Sequence, residues 1–462
     1  MNDIKAVYFL GVGGIGMSAL ARYFRHCGLC VAGYDRTATE LTRTLEHEGV
    51  VIHYDDNLDL VPDACKNRAE TLVVYTPAIP ADFGELKWFK ENGFDIKKRS
   101  EVLGLLTKQM KGLCVAGTHG KTTTTAMTAH LLHESHVGCN AFLGGISKNY
   151  ETNYLFDASS PYVVIEADEF DRSFHQLRPW ASVITAVDAD HLDIYGTPEA
   201  YREGFAVYTS LIKPEGGALI AHTGLDLEKR LADGVASYEY GRSDGDFRAE
   251  NVRIGGGRIC FDYVSPLGGV ADVELGVPVS INIENAVAAM ALTQLAGATP
   301  EEMKQAMATY KGVDRRFDFK IKTDQLVFLS DYAHHPEELR QSILSVREVF
   351  DGRKVTGIFQ PHLYTRTRDF YQEFAESLSL LDEVILLDIY PAREEPIPGV
   401  SSRLIYDNLR PGIERRLSTR ADLPRILQDE PVDVLMVLGA GNVDDDVPAL
   451  EQLLRTKYNL TE

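Results

Sequence analysis

Residues 112–122 read GLCVAGTHGKT and decide the fold of the region around them. The apolar first half predicts a buried strand, and TTTTAMTAHLLHES (122–135) predicts a long helix directly after the glycine turn. The turn resembles a phosphate-binding loop, in which backbone N–H groups cradle phosphates, Lys121 reaches the outer phosphates and the Thr122 hydroxyl can hold Mg²⁺. Val115 stands where the usual first glycine belongs. The strand before and the helix after still favour a nucleoside triphosphate site over a chance Gly-Lys-Thr sequence.

A second glycine-rich turn lies near the N-terminus, where residues 11–16 (GVGGIG) match G-x-G-x-x-G between a predicted strand and a predicted helix. Gly13, Gly14 and Gly16 let the backbone approach a pyrophosphate, and the helix N-terminus favours its negative charge. Asp35 ends the next predicted strand and could bind a ribose or a base. The motif alone leaves three alternatives open: an NAD or FAD site, another diphosphate, or a turn that is only structural.

Two groups of polar residues follow the next two predicted strands after the phosphate-binding loop. Carboxylate and imidazole groups at neighbouring strand ends suit Mg²⁺ that is shared with triphosphate oxygens. Because they lie beside the loop, we favour Glu166 and His191 as metal ligands, with solvated loop acids as the alternative for the others. The first group is Glu166, Asp168, Glu169 and Asp171, and the second is Asp188, Asp190, His191 and Asp193.

The C-terminal third contains four more apolar runs, each of which predicts a strand that ends in polar residues. In open parallel sheets, ligands bind at this edge. His334 and His335 follow the strand that ends at Asp331, and Arg366 and Arg368 follow the next strand. We therefore expect these side chains to hold an anionic group.

Strands and helices alternate along all 462 residues, and the pattern restarts near residues 104 and 313. This predicts an α/β protein with three domains, 1–103, 104–312 and 313–462. The net charge of −21 disfavours nucleic acid as a partner, and no apolar run is long enough to insert into a membrane. Six cysteines in so long a chain form no disulfide framework, which fits a cytoplasmic location.

Taken together, the motifs identify the chain as a member of the Mur ligase family. They span all three predicted domains in the family's order. The resemblance implies a Rossmann-like N-terminal domain for a UDP-sugar, a central P-loop ATPase-type α/β domain, and a Rossmann-like C-terminal domain that contacts the amino acid and closes over ATP. The motifs are GTHGKTTTTAM, EADEFDRSF, DADHLDIYG, NIENA, GVDRRFD, DYAHHP and FQPHLYTRTRDF.

The resemblance is strongest to the branch that joins L-alanine to UDP-N-acetylmuramate in peptidoglycan precursor synthesis. It implies that the muramate carboxylate takes the γ-phosphate of ATP, becomes an acyl phosphate, and is then attacked by the amine of L-alanine. ADP and phosphate are released. It also implies two Mg²⁺ ions, with Mn²⁺ as a substitute, and it leaves the oligomeric state open.

The resemblance also implies a role for each motif residue. Lys121, His191, His335 and Arg366 are expected to be catalytic, and Thr122, Glu166 and His191 to hold metal. His335 and Arg366 should lie near the alanine and the acyl group, although Leu363 replaces an Arg of some members. Residues expected to contact ATP are Gly117, Thr118, His119, Gly120, Lys121, Thr122, Thr123, Asn285 (adenine) and Asp331 (ribose). Residues expected to contact the UDP-sugar are Gly13, Gly14, Gly16 and Asp35.

Three alternatives remain beside this interpretation. Within the family, a recycling ligase attaches a whole tripeptide to the same UDP-sugar. An NAD-dependent oxidoreductase built on the first glycine-rich turn would leave the phosphate-binding loop and the acid–histidine groups without a role. A nucleotide-binding regulator without catalysis would bind ATP but release no phosphate.

Overall fold

The computed structural model describes residues 3–392 and 394–460, with the backbone alone at residues 192 and 193. The chain divides into two compact units. Unit 1 comprises Met1–Glu250, Asp262–Val273 and Glu284–Tyr310, and unit 2 comprises Asn251–Phe261, Glu274–Ile283 and Lys311–Glu462. The predicted boundaries near residues 104 and 313 remain predictions.

The N-terminal part of unit 1 is a parallel sheet with the order β3-β2-β1-β4-β5. Strand β1 has the sequence AVYFL and is buried throughout, as expected for a parallel strand that is covered on both faces. The order reverses beside β1, so its carboxyl end is where a ligand is expected. The elements are β1 (Ala6–Leu10), α1 (Ile15–His26), β2 (Cys30–Tyr34), α2 (Glu40–His47), β3 (Val51–His53), β4 (Thr71–Tyr75), α3 (Gly84–Glu91), β5 (Asp95–Lys98) and α4 (Arg99–Gln109).

The central sheet has the order β15-β14-β13-β12-β11-β10-β6-β9-β7-β8, and β6 pairs in parallel with β9 and β10. Helix α5 is rich in threonine, which is a poor helix former, but it packs on β6, β7 and β9. The elements are β6 (Lys111–Ala116), α5 (Lys121–His133), β7 (Asn140–Ser147), β8 (Thr152–Leu155), β9 (Tyr162–Glu166), β10 (Pro179–Ile184), α6 (Leu192–Tyr195), α7 (Pro198–Thr209), β11 (Ala218–His222), β12 (Ala236–Gly241), β13 (Phe247–Gly255), β14 (Arg258–Val264), β15 (Val270–Glu274), α8 (Ile281–Leu295) and α9 (Pro300–Thr309).

Unit 2 is built on a third sheet, with the order β16-β17-β21-β18-β19-β20. Strand β16 is antiparallel to β17, and the other pairs are parallel. The carboxyl ends of β17 and β18 therefore lie at the same edge. The elements are β16 (Asp318–Lys322), β17 (Val327–Asp331), α10 (Pro336–Val349), β18 (Val355–Phe359), α11 (Tyr364–Leu378), β19 (Glu383–Leu386), α12 (Arg403–Asn408), β20 (Glu414–Leu417), α13 (Leu423–Asp429), β21 (Val434–Leu438) and α14 (Val447–Lys457).

The predicted α/β fold class is confirmed. Within the described ranges 3–392 and 394–460, no helix has the length and apolar character to span a membrane.

Candidate active site

The second glycine-rich turn joins the end of β6 to the start of α5 and needs glycine at two positions. Gly117 and Gly120 have φ values of +129° and +77°, in the left-handed region that glycine adopts without strain. A Cβ on Gly117 would collide with the Thr185 hydroxyl, and one on Gly120 would lie 2.8 Å from the Asn285 side-chain oxygen. The turn is therefore a tight backbone cradle, as the phosphate-binding motif predicts.

Lys121 opens α5 and bends back over this cradle. Its Nζ donates to the carbonyl of Gly117 at 2.6 Å and lies 2.9 and 2.8 Å from the two carboxylate oxygens of Glu169. Burial raises the pKa of the Glu169 carboxyl, while the Lys121 ammonium opposes that shift. The expected phosphate-binding lysine thus lies inside the turn. Its partner, Glu169, belongs to the first predicted group of acids but is not one of the two predicted metal ligands.

The remaining turn residues hold the loop against its neighbours. Thr118 donates its hydroxyl to the carbonyl of Asp188 at 2.8 Å, and the carbonyl of His119 accepts from Thr185. Thr123 lies in the first turn of α5. Asn285 is 8% exposed and accepts from the Thr124 hydroxyl at 3.2 Å. The expected adenine residue therefore lies beside the start of α5.

Thr122 and Glu166 form a pair of oxygen ligands suited to a divalent cation. The Thr122 hydroxyl lies 3.2 and 3.0 Å from the two Glu166 carboxylate oxygens. Neighbouring ligands of an octahedral Mg²⁺ with bonds of about 2.1 Å are separated by about 3 Å, so both atoms fit one ion with little movement. Across residues 3–392 and 394–460, no three His, Cys, Asp or Glu side chains converge as a complete metal site.

His191 is a second neighbour of the Glu169 carboxylate, in addition to Lys121. Its Nε2 is 4.0 Å from a Glu169 carboxylate oxygen and 3.8 Å from one of Asp190, and its ring packs edge-on against Phe170. The backbone of His191 has a φ of +51°, which is uncommon outside glycine. The side chain of Asp193, the last acid of the predicted group, lies outside the described residues.

The first glycine-rich turn has different neighbours. The N–H of Gly13 donates to the Asp35 carboxylate at 2.8 Å, so Asp35 caps the turn from the end of the next strand. Gly14 begins α1 with ordinary backbone angles. A Cβ on Gly16 would collide with the guanidinium of Arg99. Glycine at position 16 therefore allows a cation to lie directly against the turn.

Two basic residues beside this turn, Arg99 and Lys98, were not predicted from the sequence, because they come 83 and 82 positions after Gly16 in the chain (99 − 16 and 98 − 16). Arg99 lies 3.7 Å from Asp168, and Lys98 donates to Asp171 at 2.7 Å. A cavity of about 320 Å³ lies there, lined by Tyr75, Lys98, Ser100, Asp171, Arg172 and Ser173. The only available signal was the basic run KKR at the start of a helix.

In unit 2, Asp331 ends β17 and is 4% exposed. It accepts from the Ser342 hydroxyl, and burial raises the pKa of its carboxyl to about 6. The carboxylate therefore has a protein partner in this unit.

Arg366 lies with two histidines at the edge of the sheet where β17 and β18 end. Its guanidinium is 3.5 Å from Nδ1 of His362, and the His362 ring lies 6.1 Å from that of His334. Burial and Arg366 lower the pKa of His362 to about 4, so this histidine is neutral at pH 7. His335 instead packs on Phe370 at 5.3 Å between ring centres. His362 was overlooked, although it belongs to the motif that contains Arg366. Leu363 precedes α11 with a φ of +72°.

A strand, a glycine turn with an inward lysine, and metal-type ligands at the neighbouring strand end are typical of enzymes that use nucleoside triphosphates. Three family profiles match consecutive parts of the chain. They are the Mur ligase family catalytic domain (residues 6–111), the Mur ligase middle domain (115–293) and the Mur ligase glutamate ligase domain (315–441). The chain belongs to the Mur ligase family.

Among curated relatives, a UDP-N-acetylmuramate–L-alanine ligase of Phocaeicola vulgatus is 64% identical over 457 residues, covering 99% of this chain and 100% of the relative. Among solved structures, the UDP-N-acetylmuramate–alanine ligase of Thermotoga maritima has a TM-score of 0.80 and 27% identity, covering 99% of this chain and 100% of that one. A murein peptide ligase of Psychrobacter arcticus has a TM-score of 0.64 and 20% identity, covering 99% of both chains, and shares the fold.

Proposed function

We propose that the chain is an ATP-dependent ligase that joins L-alanine to the carboxylate of UDP-N-acetylmuramate. The observation that carries this proposal is the 64% identity over essentially the full length to a relative that bears that name. The geometry supports it, because unit 1 combines a phosphate cradle, its lysine and a pair of metal-type oxygens. ATP as a co-substrate follows from membership in the family.

The reaction proceeds in two steps. A carboxylate oxygen of the muramate attacks the γ-phosphorus of ATP, the bond to the β-phosphate oxygen breaks, and ADP leaves. The L-alanine amine then attacks the acyl carbon, loses a proton, and expels phosphate as the amide forms. Phosphorylation is needed because a carboxylate is a poor acyl donor, whereas phosphate is a good leaving group.

Lys121 binds the outer phosphates, because its ammonium already lies inside the cradle that Gly117 to Thr123 form. Thr122 and Glu166 would hold one Mg²⁺, and His191 would contribute to a second, with Mn²⁺ as a substitute. When bound, such ions would supply positive charge that offsets the repulsion between the two anions.

The other contacts are proposed from the residues' positions in each unit. Gly13, Gly14 and Gly16 bind the UDP diphosphate with Arg99 as its cation, and Asp35 lies near the uridine. Asn285 contacts the adenine and Asp331 the ribose. Arg366 and His335, together with His362, bind the L-alanine carboxylate and the acyl group. We also propose a cytoplasmic location, as the cysteine usage predicts.

We also propose that the third domain, residues 313–462, closes over ATP, since Asp331 and Arg366 belong to it. Small-angle scattering should show a more compact particle with an ATP analogue and the UDP-sugar than without them. An unchanged scattering profile would contradict closure.

The acyl-phosphate step is tested with muramate whose carboxylate carries ¹⁸O. Mass spectrometry should detect one ¹⁸O in the released phosphate and a product heavier by the alanyl residue. Phosphate without the label would rule out the proposed intermediate. A product with the tripeptide, and none with alanine, would assign the chain to the recycling branch.

A further inference from the structure

All three N–H donors of the Lys121 ammonium already have acceptors in this structure. It has three N–H donors, and it contacts the Gly117 carbonyl at 2.6 Å, the Thr118 carbonyl at 3.4 Å and the Glu169 carboxylate at 2.9 Å. Each of these partners lies in or beside the turn that the phosphates would enter. To bind a phosphate oxygen, Lys121 must therefore give up at least one of them.

Glu169 is held firmly in place. It is 1% exposed, and the buried Tyr195 donates its hydroxyl to the Glu169 carbonyl at 2.7 Å. The Asp168 carbonyl accepts from the N–H of Phe174 at 2.9 Å, which fixes the segment on either side. The backbone on both sides of this buried carboxylate is therefore fixed, and departure of the lysine would leave an unpaired buried charge, which is strongly unfavourable.

We propose that Glu169 is a positioning residue that retains Lys121 in the nucleotide-free protein and releases it only when nucleotide arrives with a divalent cation. The exchange is electrostatic. The phosphates take Lys121, and a cation bound beside His191, whose Nε2 lies 4.0 Å from a Glu169 carboxylate oxygen, replaces the lysine as the positive neighbour of Glu169. Without the cation, nucleotide entry would leave Glu169 uncompensated beside a polyanion.

This inference rests on the proposed function only in requiring that the turn binds ATP phosphates. It explains how the site can avoid binding metal-free nucleotide, which cannot react. It also gives Glu169 a role separate from that of Glu166, whose carboxylate faces Thr122 instead.

The test is calorimetric binding of ADP and of a non-hydrolysable ATP analogue, each in EDTA and in Mg²⁺. Glu169→Gln should tighten metal-free binding roughly tenfold and weaken the dependence on Mg²⁺, because Lys121 becomes available without the cation. Asp168→Asn is the matched control, since Asp168 is a neighbouring acid that contacts Arg99 and not Lys121. It should change metal-free binding less than about twofold. Structural damage would weaken binding, which is the opposite sign.

A double-mutant cycle asks whether the effect acts through the lysine. In a Lys121→Met background, Glu169→Gln should tighten metal-free binding by less than about twofold. If Glu169→Gln raised the affinity for metal-free nucleotide equally in both backgrounds, Glu169 would not act by retaining Lys121. If it raised that affinity in neither background, the whole inference would be wrong. Should the Gln variant fail to fold, Glu169→Asp keeps the charge but draws it back from Nζ, and a smaller gain is expected. If the wild type binds neither nucleotide in Mg²⁺, the proposed function itself is wrong.

Discussion

The two glycine-rich turns share a strand–turn–helix path, but their charged neighbours differ. At the first turn, the cation Arg99 lies against Gly16, and Asp35 accepts from the N–H of Gly13. At the second turn, the cation is Lys121, and the buried Glu169 already pairs with it. Both cations thus have an acidic partner, but Asp168 beside Arg99 is partly exposed, whereas Glu169 beside Lys121 is buried. We therefore expect a diphosphate to displace a solvated partner at the first turn and a triphosphate to displace a buried one at the second.

Two buried acids, Glu85 on α3 and Glu169 beside the second turn, differ in whether they have a cationic partner. Glu85 is 0% exposed, accepts from the Tyr8 hydroxyl at 2.6 Å, and lies 3.5 Å from His53. Burial raises the pKa of its carboxyl to about 7. Glu169 instead has a lysine partner. A buried acid without a permanent cationic partner lowers the stability of the fold when it ionises. A buried acid with such a partner can control where that cation lies.

The largest effect is expected from Lys121→Ala, which removes the cation of the second turn. Turnover should fall by on the order of a thousandfold, because the transferring phosphate loses its main protein cation. Substrate-dependent phosphate release measures this. Lys87→Ala, an exposed lysine on α3, is the control and should keep full activity. Near-normal activity of Lys121→Ala would show that the second turn does not hold the transferring phosphate as proposed.

The next effect concerns Glu85, the buried acid on α3. Folded Glu85 keeps its proton to about pH 7, whereas the unfolded chain releases it near 4.5, so the free energy of unfolding falls as pH rises between these values. Glu85→Gln should remove up to about 3 kcal/mol of that fall. His53, whose pKa is lowered by burial, acts in the opposite direction, so the difference between wild type and variant is measured.

Urea unfolding at pH 5 and pH 8 provides this difference. The exposed Glu91, on the same helix, supplies the control Glu91→Gln. If wild type and Glu85→Gln differ equally at both pH values, Glu85 does not titrate in this range.

A smaller effect is expected from His191→Ala. Its imidazole lies between Asp190 and Glu169, where a second ion is proposed. The kcat should fall roughly 10–100-fold, with a smaller change in the KM for ATP, because the ion acts on the reacting phosphate. A shift confined to the KM would indicate that His191 only helps nucleotide to bind.

The smallest effect separates two glycines of the first turn. Gly16→Ala should displace the Arg99 guanidinium and lower kcat/KM for the UDP-sugar roughly tenfold, with the KM for ATP unchanged. Gly14→Ala is the matched control, because its nearest neighbour would be 3.6 Å away in ordinary contact. Equal effects at both positions would show that backbone freedom matters there and Arg99 does not.

Most of the fold followed from local patterns, since short apolar runs such as AVYFL and VLMVL, each followed by a turn and a helix, are typical of parallel strands that are covered on both faces. The phosphate cradle was likewise predictable, because its chemistry depends on consecutive residues. The partners of the cradle were not. Arg99 and Gly16 meet only through the order of the first sheet, and Glu169 could be distinguished from the other loop acids only by its burial.

The proposed reaction is tested by phosphate release from ATP and Mg²⁺ in the presence of UDP-N-acetylmuramate, with L-alanine, with the tripeptide, or with no amine. We expect sustained release that requires both the UDP-sugar and L-alanine. Release that requires the tripeptide would identify a recycling ligase, and release with none of these combinations would contradict catalysis by this chain.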